Sequence, residues 1–494
     1  MSDSAPGPVT SPATYRVSVV GGGASGVLTA INLLAADREH RLRVTVHEAT
    51  GILGRGIAYG TSDPRHLLNV RARHMSAFPD VPSDLLDWAS RTGRDVHPQG
   101  FLPRRDYAAY LQDTLATVAD HRLTVRAGRV EDLQEVAGGG YAVHAPGGPQ
   151  ESCEADAVVL AHGNQRPRPL TVDGDELPAA PWHVADPWDL SRLHHLRPDA
   201  TVVVVGSGLT AVDAVITLLT DHPRRRVVMV SRTGLLPRTH VAQLSTAWVS
   251  PVPTGRLTAD GLAALVREQV AAAAAQGVDW RAVVDGLRAP TQDLWSRLDL
   301  AERTRFLATY AREWDVHRHR MAPEVAQALA GFEAEGRLLR VTGRLSAVAD
   351  RGERCTVRVR TDHGTGPTTA EGEPVLADAV LNCTGPLTDV TRSDDPLLLA
   401  LRERGLAAPD PLFLGLACTT DGRLTDPEGR ARPELLVVGP GRKGVLWEST
   451  AIPEIRAQAA EVAHALVARA GRTVGVGRCR PYAPGATGAG AARR

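Results

Sequence analysis

Cysteine is scarce. The 494-residue chain has five, Cys153, Cys355, Cys383, Cys418 and Cys479. Their number is odd and no two stand close in sequence, which argues against a disulfide framework and against zinc-finger spacing. Redox chemistry through a pair of adjacent sulfurs is also disfavoured, because two such sulfurs must lie close together. Reduced, buried thiols in a cytoplasmic protein are expected. Net charge is absent as well, with 56 Lys+Arg against 56 Asp+Glu. A balanced chain sets up no long-range field for a polyanion, so nucleic acid is not an expected partner. No run reaches the ~18 apolar residues of a membrane span, and no membrane partner is expected. The opening MSDSAPGPVTSPAT lacks a basic segment and an apolar one, so residues 1–14 read as a disordered leader. The low-complexity stretch 481–494 reads as a disordered tail. There is no Gly-x-Ser-x-Gly elbow and no paired-carboxylate signature.

What is present is a repeated grammar. Arg16–Val20 is an apolar strand, Gly21-Gly-Gly-Ala-Ser-Gly26 a turn, Val27–Ala36 a helix, and Leu42–His47 a second strand ending at Glu48. Glu48 stands 22 residues after Gly26, close to the ~20 of a dinucleotide fold. Gly21 allows the tight turn, Gly23 lets backbone N–H groups approach a pyrophosphate, and Gly26 lets helix and strand pack closely. Glu48 would accept from ribose hydroxyls. The pattern returns as the strand Thr201–Val205, the turn Gly206-Ser-Gly-Leu-Thr-Ala211, the helix Val212–Thr220 and the strand Arg226–Val230, followed by Ser231 and Arg232. An acid in that last slot would repel a 2′-phosphate, whereas an arginine binds it. The first site therefore suits FAD and the second NADPH.

Each half closes with short alternating strands and a buried strand ending in glycine, first at Ala155–Gly163 and then at Ala377–Gly385. Leu435–Gly439 reads as a late strand returning to the FAD domain. It brings Gly439 and a helix starting near Thr450 to the flavin. The expected class is α/β, two Rossmann-like dinucleotide-binding domains with a helical insert over 256–335. The FAD domain is discontinuous, 15–170 and 340–480, and the NADPH domain with its insert spans 171–339.

Several segments resemble the FAD/NAD(P)-binding proteins related to class B flavin monooxygenases. They are Gly54–Thr61, His66-Leu-Leu-Asn-Val70, Met75-Ser-Ala-Phe-Pro-Asp80, Trp314–Pro323 and Trp447–Arg456. The resemblance runs from Arg16 to about Gln458 and extends to the flavin N-monooxygenases of aspartate, ornithine and lysine. It implies FAD at Gly21, Gly23, Gly26 and Glu48, Asn69 and Met75 near the isoalloxazine, and NADPH at Gly206, Gly208 and Arg232. It also implies an NADPH-dependent monooxygenase of secondary metabolism that hydroxylates a small amine or amino acid through a flavin hydroperoxide. Two alternatives stay open, an NADPH-dependent flavin oxidoreductase without oxygen insertion and a non-catalytic FAD-binding redox sensor. The expected partners are a small-molecule substrate and O₂, and a homo-oligomer is open. No metal is expected, since His317 and His319 lack a third ligand. In the same cluster Arg318 and Arg320 are the candidate groups for holding an anionic substrate.

Overall fold

The computed structural model describes residues 14–94, 96–147, 151–189, 191–242, 247–362 and 369–475. Apart from Thr14, the expected leader lies outside these residues, as do the tail and Cys479.

Two separate sheets carry the two glycine turns. The first places Tyr15–Val20 between Leu42–Glu48 and Ala157–Leu160. Leu123–Ala127 extends it on one side, and Ala431–Val437 with Arg423–Thr425 on the other. All pairings are parallel except that of Arg423–Thr425, which is antiparallel. Val17, Val19, Val44 and Val46 are buried, as continuous apolar strands covered on both faces must be. The helices Ala24–Ala36 and Ile452–Gly475 share this core. The expected return of the chain around Leu435 therefore occurs, and it brings the last helix against the first.

The second sheet is wholly parallel, in the order His183–Val184, Ala379–Asn382, Thr201–Val205, Arg226–Ser231, Leu338–Thr342. This differs from the expected boundary at residue 340. Leu338–Thr342 pairs with Arg226–Ser231, and Ala379–Asn382 pairs with Thr201–Val205. The second unit therefore keeps the chain to about residue 382. The physical reason is the repeat itself. A buried closing strand must pair with its own half's first strand, as Ala157–Leu160 pairs with Tyr15–Val20. Each half also carries a small antiparallel piece, at 132–155 in the first and 344–377 in the second.

Between the second-sheet strands Arg226–Ser231 and Leu338–Thr342 lie six helices, Ala259–Ala275, Trp280–Gly286, Thr291–Arg297, Leu300–Thr309, Ala311–Arg318 and Pro323–Ala334. Thr258, Asp279 and Asp299 cap three of them by accepting backbone N–H groups. Leu257, Leu294, Trp295 and Leu298 pack with Trp447, so the insert shares a core with the segment returning to the first unit. Among the described residues no helix is long and apolar enough to cross a membrane.

Candidate active site

The first glycine turn is built around forbidden space. Gly21 has φ +102°, and a Cβ there would lie 2.5 Å from the Ala161 carbonyl oxygen. A Cβ on Gly26, in the first turn of the helix Ala24–Ala36, would lie 1.8 Å from the Gly21 carbonyl oxygen, so this close approach requires glycine. Gly23 is the N-cap of Ala24–Ala36 and offers no side chain, which leaves the first N–H groups free for an anion. Glu48 closes the far side. Its Oε2 accepts from the Gly22 N–H at 2.9 Å, and its Oε1 accepts from the Thr50 N–H and hydroxyl. Gly439, at φ +88°, sits against the same turn, where a Cβ would come within 2.7 Å of Ser25 Oγ. These residues fit the diphosphate and ribose of FAD.

The second turn repeats the device. Gly206 has φ +122°, and a Cβ there would be 2.1 Å from the Cys383 carbonyl oxygen. Gly208 caps the helix Leu209–Leu219 without a side chain and faces open space. Arg232 follows the strand Arg226–Ser231 and is exposed. Arg312, from the insert, reaches the same region, where its Nη2 donates to Ser207 Oγ at 3.0 Å and to the Leu235 carbonyl. Burial lowers the Arg312 pKa, and the nearby charge of Arg232 pushes it the same way. Two adjacent cations here fit a 2′-phosphate and so NADPH. Nothing in local spacing marks Arg312, because it arrives from a different element.

A cleft of about 370 Å³ lies between the two units and reaches the second turn at Gly208. Asn69, Met75, His162 and Thr450 line it from the first unit, and Gly208 from the second. Burial pushes the His162 pKa down, and its Nδ1 has no hydrogen-bond partner among the described residues. A neutral ring with a free nitrogen is thus available to a cofactor. The segment carrying Asn69 is braced across the units. His240 Nε2 lies 3.0 Å from the Asn69 carbonyl, and His66 Nε2 meets Thr217 Oγ1 at 2.9 Å and the Asp213 carbonyl at 3.0 Å. Arg104 adds an ion pair with Asp213 at 3.0 Å. The His66-Leu-Leu-Asn-Val70 motif is therefore an inter-unit clasp.

Arg318 and Arg320 do not line the cleft. Arg318 is buried, with its Nε 3.3 Å from Glu448 Oε2, and Arg320 is buried against Asp285. Of the histidines beside them, His319 lines the cleft and His317 turns away from it. The cleft holds another cation, Lys443. It lies over the Trp447 ring at 4.8 Å and is in no ion pair among the described residues. Its loop is fixed on both sides. Buried Arg442 donates to the Thr420 carbonyl, and Gly444 packs so closely on Asp410 that a Cβ would sit 1.9 Å from the carboxylate. A compositional signal could have found this residue, since it is the only lysine in a chain of 56 basic residues.

Comparison with known proteins agrees with this geometry. Residues 18–165 match the FAD-NAD(P)-binding family, and residues 96–258 match the L-lysine 6-monooxygenase/L-ornithine 5-monooxygenase family. Among curated proteins no match to the chain is found. The fold is similar to the reduced form of an ornithine hydroxylase from Pseudomonas aeruginosa, at TM-score 0.63 and 17% identity over 92% of this chain and 99% of that one. It is similar to an ornithine N-hydroxylase from Kutzneria sp. 744, solved with reduced FAD, NADP⁺ and L-ornithine, at TM-score 0.59 and 15% identity over 92% and 99%. A bacillithiol disulfide reductase from Staphylococcus aureus shares the fold at TM-score 0.53 and 12% identity, over 92% of this chain and 99% of that one. The chain thus carries FAD-NAD(P)-binding and lysine/ornithine monooxygenase segments on the fold of the flavin N-monooxygenases.

Proposed function

We propose that the chain is an FAD-containing, NADPH-dependent monooxygenase that hydroxylates the nitrogen of a small amine or amino acid. One observation carries the reading. A cleft lies between two units, and each unit has a glycine turn leading into a helix N-terminus with no side-chain cap, one turn closed by an acid and the other by arginines. Gly21, Gly23, Gly26, Glu48 and Gly439 would hold FAD, with Asn69 and Met75 near its ring. Gly206, Gly208, Arg232 and Arg312 would hold NADPH. FAD supplies the hydride-accepting and oxygen-activating chemistry when bound. The chain's own work is to position and to exclude water. Half-buried Lys443 and Asp315 both line the cleft and are in no ion pair among the described residues, so a zwitterionic substrate finds one group of each sign.

The shared fold alone does not separate this activity from disulfide reduction. The cleft lining favours the monooxygenase, for among the described residues no cysteine lines it. A cytoplasmic location goes with an NADPH-consuming enzyme and free thiols. The test is oxygen uptake by the FAD-loaded protein with NADPH and a panel of amines and amino acids. Product is read as a mass gain of one oxygen and as hydroxylamine. NADPH oxidation that ends only in peroxide or in a reduced quinone, whatever amine is present, would assign the chain to the flavin reductases instead.

A further inference from the structure

The helix Ala259–Ala275 poses a packing problem. It is rich in apolar residues, yet among its 17 residues only Ala259 and Ala273 are buried. Leu262, Val266 and Val270 recur every four residues, which puts them on one face. Leu262 and Val266 pack against the small core around Trp295 and Trp447 without being fully buried. The same face borders a chamber of about 660 Å³, larger than the cleft between the two units. Trp280, Trp295, Trp314 and Trp447 line the chamber, four of the chain's eight tryptophans. Protein interiors are close-packed, so an apolar space of this size is not ordinary core. Its volume lies within the ~300–1,000 Å³ range of small-molecule sites.

The chamber is distinct from the cleft, and the helix Ala311–Arg318 is the wall between them. Arg312, Asp315 and Val316 face the cleft, whereas Glu313, Trp314 and His317 face the chamber. The loop after Gly439 is divided in the same way, with Lys443 on the cleft side and Trp447 on the chamber side. Charge at the chamber is one-sided. Arg238, Arg267 and Arg281 line it with Glu313 as the one acid. Arg281 is paired with Asp279. Arg238 and Arg267 are exposed and in no ion pair among the described residues; Arg267 lies over the Tyr310 ring at 5.9 Å, and its charge reaches Asp260.

We propose that this chamber is a second small-molecule site, which takes an amphipathic anion. An aliphatic or aromatic body fills the tryptophan-lined space, and a single anionic group lies against Arg238 or Arg267. The site does not depend on which reaction the cleft performs.

The test uses the FAD-loaded protein, with decanoate as the probe and decylamine as its cationic match, both below their micelle concentrations. Tryptophan fluorescence and calorimetry should report one saturable decanoate site per chain, with at least tenfold tighter binding than decylamine. Val266→Trp should weaken decanoate at least tenfold while FAD content and NADPH oxidation stay at their original levels. If that variant fails to fold, Val270→Phe makes the same test from the next turn. The double variant Arg238→Ala/Arg267→Ala should erase the preference for decanoate over decylamine. Sedimentation of the free protein separates the other occupant. A dimer that Val266→Trp dissociates would show that a second copy fills the space, and would overturn the proposal. Non-saturable binding, or saturable binding that no filling variant weakens, would overturn it as well. So would equal affinity for the two probes.

Discussion

Three basic side chains, of which only Lys443 lines the cleft, carry distinct loads. Arg232 is exposed, so its contribution is confined to whatever anion it meets. Loss of one charge-assisted contact costs ~1.5–3 kcal/mol, roughly tenfold or more in affinity. Arg232→Ala is expected to raise the KM for NADPH by that factor and leave the KM for NADH nearly unchanged. Steady-state kinetics with the two dinucleotides decides it. Lys443 is held by a loop that cannot shift, because Gly444 is pressed on Asp410. Lys443→Met should therefore leave FAD content intact and raise the KM for a carboxylate-bearing amine about tenfold, with Lys443→Arg recovering only part of it. Equal KM values for all three proteins would remove Lys443 from the substrate side. Arg318 was expected to orient the substrate, but its geometry gives it another role. It is buried against Glu448, itself buried, and removing one member of such a pair strands a charge at a cost of ~3–5 kcal/mol. Arg318→Ala should lower thermal stability at least as much as it changes coupling, which scanning calorimetry reads directly.

The two turn–helix elements look alike in sequence and differ in space. A methyl group on Gly26 meets the Gly21 carbonyl oxygen at 1.8 Å, whereas one on Gly208 meets nothing within 4 Å. Gly208 also has φ −83°, a backbone conformation that alanine accepts. Gly26→Ala is therefore expected to disrupt the turn and empty the FAD site. Gly208→Ala should fold normally, keep its flavin, and weaken NADPH alone, because its methyl projects only where the dinucleotide lies. Flavin absorbance per chain and the NADPH dependence of flavin reduction separate the two. A flavin-free Gly208→Ala would show that the second turn also supports the first.

At the scale of the whole molecule, two buried histidines matter, His240, which joins the two units, and His47, which lies within the first. Burial pushes the His240 pKa down to about 3 and that of His47 to about 4, with the charge of Arg320 and of Arg126 acting in the same direction. Unfolding returns both to about 6.5, so between the two values the unfolded chain binds more protons than the folded one. Stability then rises with pH across that window. It should be complete above about pH 6.5 and fall progressively as the pH drops toward 4 and then 3. The thermal midpoint is expected to fall between pH 7 and pH 5, and His240→Asn should flatten that slope. A midpoint that is constant or rises on acidification over this range would contradict the assignment. His240 also donates to the Asn69 carbonyl, a bond that favours the protonated ring and partly offsets the effect of burial.

Both glycine turns, the acid and arginine that follow their second strands, the helical insert and the late return of the chain were legible from residue order alone. All but the last depend on interactions within a few tens of residues, where spacing and side-chain type fix the conformation; the return was legible as an apolar strand ending in glycine, although its partner Ala157–Leu160 is distant in sequence. The tertiary structure decided what spacing cannot encode. Strand Ala379–Asn382 belongs to the second sheet because its hydrogen bonds go to Thr201–Val205, a partner chosen by burial across more than a hundred positions. Arg312 joins Arg232 only because the insert folds back over the second turn. Arg318 and Arg320 are turned into ion pairs, and Lys443 into the cleft, by the packing of helices against a fixed loop. Whether a charged side chain binds a ligand or supports the fold is set by which way it faces and what already neutralises it, and both are properties of the packed molecule.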